Sequence, residues 1–127
     1  MLTLSSLITI VPVMDMVRAR EFYEHKLGLK VLGAQTDGGI VYGCGGGSML
    51  ELCHKPGSTR ADHAIASFEV YDIKAEIRAL KHQGVIFEDY DQPDLKTVRH
   101  IAKIGDESEA WFKDTEGNYL CLHQELH

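Results

Sequence analysis

Apolar and polar residues alternate over eight short stretches, 6–12, 29–35, 39–43, 48–54, 64–70, 85–90, 108–114 and 119–123, and this two-residue period predicts strands. In two places the period lengthens. Met16, Ala19, Phe22, Tyr23 and Leu27 recur every three or four residues, as do Ile73, Ile77 and Leu80, which predicts amphipathic helices over about 15–27 and 72–83. Asp15 and Asp72 stand where a carboxylate can accept hydrogen bonds from the free N–H groups of a first helical turn, so both are expected N-caps. Gly28 and Gly84 follow the last apolar positions, where a left-handed residue closes a helix.

The same order of elements is written twice. Val13-Met14-Asp15-Met16 is answered by Val70-Tyr71-Asp72-Ile73 at an offset of 57. Further on, Val41-Tyr42 answers to Trp111-Phe112, Gly47 to Gly117 and Leu50-x-Leu52 to Leu120-x-Leu122, at an offset of 70. The second copy is therefore longer in its middle, and the extra chain falls between Glu88 and Gly105. Loops of that length seldom occur in compact domains without a role, so the insertion is either a functional lid or an added strand, with 97–104 alternating weakly. Gly45-Gly46-Gly47 and Thr115-Glu116-Gly117-Asn118 supply the tight turns before the last strand of each copy. The glycine triplet lacks the G-x-x-x-x-G-K-[ST] pattern and sits between strands, so a hairpin turn is expected there and not a phosphate loop.

Composition narrows the class. With 127 residues, 44% hydrophobic and 25% charged, the chain suits one globular domain over 1–127, divided into modules at about 5–56 and 62–125. The longest apolar stretch, 7–13, is broken by Thr9 and Pro12 and is too short for a membrane span or a secretory signal, so a cytoplasmic protein without a membrane partner is expected. Cys44, Cys53 and Cys121 show no C-x-x-C spacing and read as buried thiols. A net charge of −6 with no Lys/Arg run argues against a nucleic-acid partner.

Two motifs go further. Phe22-Tyr-Glu-His-Lys-Leu-Gly-Leu-Lys-Val31 resembles the F-Y-x-x-x-L-G-[LM] signature of the glyoxalase/bleomycin-resistance/extradiol-dioxygenase (vicinal oxygen chelate) superfamily. Trp111-Phe-Lys-Asp-Thr-Glu-Gly-Asn118 resembles its F-x-D-P-x-G-N hairpin, with Thr115 where proline is usual. The resemblance implies an α+β fold of two βαβββ modules forming curved half-barrel sheets, with helices outside and a cup inside. Alternation then turns Leu50, Leu52, Leu120 and Leu122 towards the helices and Glu51, Cys53, Cys121 and His123 into the cup. Ile8, Ile10, His63, Ile65 and Ser67 follow the same inward parity.

Metal-dependent members place His, Gln or Glu on four strands, and the resemblance maps those positions to Ile8, Glu51, Ile65 and Cys121. Isoleucine cannot coordinate, so no metal and no other cofactor is expected at the inherited site. A shifted site using Glu51, Cys53, His63 and His123 is the alternative. Glu51, flanked by apolar residues, is the candidate catalytic residue, as a general base tuned by desolvation. It is alternatively a partner of Lys96 or Arg99, or an acceptor for a ligand. Ligand-binding candidates are His63, His123, Cys121, Ile8, Ile65, Trp111 and, from the insertion, Lys96, Arg99 and His100, with Ile10, Tyr42 and Tyr119 adding apolar area. Lys96, Arg99 and His100 are expected over the mouth of the second cup, facing an anionic ligand.

The expected function is binding of a small organic molecule in the cup, independent of metal, in a sequestering or resistance-like role. The rivals are a lyase, isomerase or dioxygenase working through a relocated divalent metal or Glu51, and a module whose partner is another protein. Open strand edges suggest a homodimer.

Overall fold

The computed structural model describes residues 1–57 and 61–125. His127, which the sequence leaves without a role, lies outside them. The chain forms two compact units, Met1–Arg60 and Ala61–His127, the first in βαβββ order and the second in the same order with a two-stranded hairpin inserted after its helix, and the architecture is α+β as expected.

In the first unit, β1 (Ile8–Val13) leads into α1 (Met16–Glu21) and a π-helical turn (Phe22–Lys26). β2 (Lys30–Ala34), β3 (Ile40–Gly43) and β4 (Met49–His54) follow. The sheet order is β1-β4-β3-β2, with β1 parallel to β4 and the other pairs antiparallel. The Asp15 carboxylate accepts from the Arg18 N–H at 3.1 Å, as a cap should, and Gly28 takes a φ of 75° beyond the helical end. The expected helix over 15–27 widens in its second half, where the Leu27 N–H bonds to the Phe22 carbonyl at 3.0 Å. That wider turn lets the consecutive Phe22 and Tyr23 both reach the core.

In the second unit, β5 (Ala64–Glu69) and α2 (Ile73–His82) precede a two-stranded hairpin, β6 (Asp91–Gln92) and β7 (Leu95–Lys96). β8 (Ala102–Ile104), β9 (Glu107–Lys113) and β10 (Tyr119–Gln124) complete a sheet of order β5-β10-β9-β8, with β5 parallel to β10. Asp72 caps α2 through the Ala75 N–H at 3.1 Å, and the Gln124 side chain accepts from the Ile73 N–H at 2.7 Å. The Asp114 carboxylate accepts from the N–H groups of Glu116 and Asn118, each at 2.8 Å, and so holds the last hairpin turn, where Gly117 has a φ of 85°.

Two strand expectations change. No strand forms over 85–90: only Phe87 bridges to Phe112, with the Glu88 N–H donating to the Trp111 carbonyl at 2.8 Å. The chain then leaves the sheet and returns as β8, which pairs Ala102 with Glu109. The expected strand over 97–104 shortens accordingly. The insertion thus divides a single edge position along β9, and it does so because Val98 and Ile101 close a tight turn of their own just before β8.

Each core lies between sheet and helix. Val11, Val13, Leu50, Leu52 and Tyr42 are buried in the first unit, and Ala110, Phe112, Leu120, Leu122 and Ile77 in the second. Burial of this alternating set fixes register, because a one-residue slip would turn each strand's apolar side outward.

Candidate functional site

Side chains that bond to helices fix the faces of each sheet. In β10, Gln124 reaches α2, so Leu122 and Leu120 share the helix side while Tyr119, Cys121 and His123 lie on the open face. In the first sheet, Tyr42 donates to Glu24 of the helical segment at 2.8 Å and pairs in register with Leu50, which puts Leu50 and Leu52 on the helix side and Glu51 and Cys53 on the open face. The expected parity of these residues therefore holds.

The open face of the second sheet gathers several candidates. Cys121 pairs in register with Trp111 and with Ser67, and the Tyr90 ring stands edge-on to Trp111 with centroids 5.6 Å apart. At one end Lys113 lies over the Tyr119 ring at 4.9 Å. At the other, His123 pairs in register with Glu69 and Glu109, and its Nε2 lies 3.3 Å from a Glu107 carboxylate oxygen. Burial pushes up the Cys121 thiol, and burial followed by the Glu88 charge pushes up the Tyr90 phenol. Both groups are therefore neutral at physiological pH, and Cys121 is not a thiolate nucleophile. Ile65 is half-buried on β5, next to the register shift between Tyr119 and Leu120.

Other candidates stand elsewhere. Tyr42 points to the helix side, where its hydroxyl donates to Glu24 at 2.8 Å, so it adds nothing to the cup. His63 is exposed beside Asp62, at 3.3 Å. On the first sheet's open face, Glu51 pairs in register with Ile10 and Val41, and a Cβ at Gly39 would come within 3.0 Å of its Oε2, so glycine lets the carboxylate lie close. Ile8 and Ile10 remain 38% and 61% exposed, so the apolar enclosure expected around Glu51 is incomplete on that side.

Lys96, Arg99 and His100 do come together, but not where expected. They line a cavity of about 800 Å³ against α2, on the helix side, which none of the described open-face residues borders. The reason is the His100 ring. It packs against Phe87 at 5.8 Å, its Nδ1 contacts Asp89 at 2.9 Å, and its Nε2 lies 3.1 Å from the Lys81 ammonium on α2.

Donor chemistry at the inherited metal positions does not fit a divalent ion, since Ile8 and Ile65 offer no lone pair. Glu107, His123 and Glu125 do bring ligand atoms within 4.8 Å of one another. Glu107 and Glu125 do not stand out as ligands in the sequence. Glu125 shares the two-residue parity of His123 and was accessible from it; Glu107 needed the register across the last hairpin.

These sheets, helices and open faces define a known class. The Glyoxalase/Bleomycin resistance protein/Dioxygenase superfamily model matches residues 6–122, and the chain belongs to that superfamily. Among solved structures, the chain is similar to a glyoxalase/bleomycin resistance protein from Streptomyces sp. CB03234, at 24% identity over 94% of this chain and 98% of that one, with a TM-score of 0.66. TnmS3, an antibiotic binding protein from the same Streptomyces, is 22% identical over 98% of this chain and 99% of its own, with a TM-score of 0.64. A fosfomycin resistance protein, FosX, from Listeria monocytogenes, solved with Mn(II), is 17% identical over 97% and 90%, with a TM-score of 0.67. At these identities the likeness is one of fold. No curated protein matches the chain. Among the described residues, no helix is long and apolar enough to cross a membrane.

Proposed function

We propose that the protein binds a small, partly apolar organic molecule on the open face of its second sheet, without a metal, as a sequestering or resistance-type protein. The aromatic corner carries this reading: Trp111 and Tyr90 meet edge to face at 5.6 Å on the side of the sheet away from the helix. Cys121 and Ser67 flank the corner, and His123 and Lys113 provide polar ends, the mixture of apolar area and few oriented polar groups that small-molecule sites use. Neutral Cys121 favours binding over nucleophilic chemistry. The antibiotic-binding description of TnmS3 supports the same direction.

Nile red, a neutral apolar dye, added to chelator-treated protein tests this. Saturable binding that weakens roughly tenfold in Tyr90→Ala, a loss of about 1.4 kcal/mol, is expected. Binding that needs an added divalent ion, or that ignores the substitution, would overturn it.

A second reading follows from the Glu107, His123 and Glu125 cluster: an enzyme, a lyase, isomerase or dioxygenase, using a relocated divalent ion there, the alternative being Glu51 as a general base on the first sheet. Elemental analysis of untagged protein separates the two. About one tightly held ion per chain, lost in His123→Ala, supports the enzyme, and no stoichiometric ion supports the binder. In either case we expect a homodimer, since β1 and β2 are sheet edges exposing Ile8, Ile10, Val31 and Leu32. A monomeric mass at micromolar concentration contradicts it. The three free cysteines suit a reducing cytoplasm.

A further inference from the structure

The cavity beside α2 gathers six of the chain's 13 Lys and Arg residues in a protein whose net charge is −6. α2 contributes Lys74, Arg78 and Lys81, spaced so that they fall on one helical face together with Ile77. The far wall contributes Lys96, Arg99 and Lys103. Lys81 is satisfied by His100 and Lys103 by the Ser108 hydroxyl at 2.9 Å, while Lys96 stands 4.0 Å from Asp91. Among the described residues, Lys74, Arg78 and Arg99 have no carboxylate within 4.0 Å. Like charges collected without counter-charges repel one another, and a bound anion would remove that cost.

The backbone supplies an independent observation. The turn from Val98 to Ile101 is closed by hydrogen bonds of 2.8 and 3.1 Å, and its two central residues, Arg99 and His100, take φ values of 53° and 72°. Such a pair of positive φ angles suits Asn-Gly and strains side chains with a Cβ, and strain of this kind collects at ligand sites. Here the strained conformation aims Arg99 and His100 at α2, and Asp89 and Lys81 hold it there.

We propose that this cavity is a second binding site, for a small organic molecule carrying two or more closely spaced phosphate groups. With Lys96 beside Asp91, five cations remain, more than a single carboxylate or phosphate would neutralise. Two arginine forks suit tetrahedral oxyanions, and the lysines act as point charges. Ile77, Val98 and Ile101 offer an apolar wall to the organic part, and about 800 Å³ lies within the range of small-molecule pockets. The site shares no residue with the open face and stands whether or not the open-face proposal does.

Calorimetric titration of the full chain with inorganic tripolyphosphate tests it, with citrate and a short DNA duplex as comparison ligands. One tripolyphosphate per chain is expected, weakening as salt rises, and binding roughly tenfold more tightly than citrate. Arg78→Gln should weaken binding about tenfold. Arg99→Gly should do the same while leaving the thermal midpoint unchanged or higher, because glycine relieves the positive φ; a lost fold cannot therefore account for lost affinity. Lys30→Ala, on β2, should bind as the parent does. Absence of saturable tripolyphosphate binding, equal affinity for citrate, indifference to both arginine substitutions, or tighter binding of the duplex would each overturn the proposal.

Discussion

The two helices occupy the same place in the repeat and differ in what covers them. Both begin with a capping aspartate, at 3.1 Å in each case. Beside α1, charge is matched: Arg20 and Glu24 meet at 2.7 Å, His25 lies 3.5 Å from Glu21, and Glu24 also takes the Tyr42 hydroxyl. Beside α2, Lys74, Arg78 and Lys81 face the insertion across a cavity. The repeat builds the frame twice, and only the second copy has extra chain with which to build on it. Paired charges on α1 belong to folding, whereas Lys74, Arg78 and Arg99, which have no carboxylate within 4.0 Å among the described residues, suit a bound anion.

The equivalent core positions Tyr42 and Phe112 sharpen that contrast. Phe112 is fully buried and stands edge-on to Phe87 at 5.3 Å, beneath the departure point of the insertion. Phe112→Ala should destabilise the second unit by about 3–5 kcal/mol, measured by urea unfolding, through the cavity it leaves. Tyr42→Phe keeps the ring and removes only the hydroxyl that donates to Glu24. A loss of about 1.5–3 kcal/mol is expected, as for a hydrogen bond to a charged group.

That second loss should depend on pH. The Arg20 guanidinium, and then the Tyr42 hydroxyl, hold the Glu24 carboxyl below its ordinary value against the opposing effect of burial. A carboxyl lowered in the folded state contributes stability that is present above the unfolded value and lost as pH falls through the folded one. The gap between parent and Tyr42→Phe should therefore be full at neutral pH and shrink below the ordinary glutamate range. A gap constant into strong acid would contradict this assignment.

The smallest effects should be equal ones. Asp15→Ala and Asp72→Ala each remove one cap bond and should each cost about 1 kcal/mol in thermal unfolding. Markedly unequal losses would show that the two helices are not equivalent even at their starts.

Much of this frame was legible in the sequence. Alternation at Leu50, Leu52, Leu120 and Leu122 assigned sheet faces, and Asp15, Asp72, Gly28 and Gly84 marked helix ends, because these features are local. The π-helical turn was not legible, since Phe22 and Tyr23 fit an ordinary helical stripe equally well. Nor was the side of the sheet on which the insertion lies. That depends on His100 contacting both Asp89 and Lys81, and the second of these is a tertiary contact. The stripe of Lys74, Arg78 and Lys81 was visible in the sequence, but its meaning depends on what faces it.

Trp111 is the sole tryptophan of the chain and sits at the proposed open-face site, so its fluorescence reports on that site alone. In chelator-treated protein, a neutral planar aromatic ligand such as Nile red should quench Trp111 emission saturably, by contact or energy transfer. Tripolyphosphate, held beside α2, should leave the emission unchanged. Quenching that appears only with an added divalent ion, or no quenching although dye is bound, would contradict metal-independent binding on the open face.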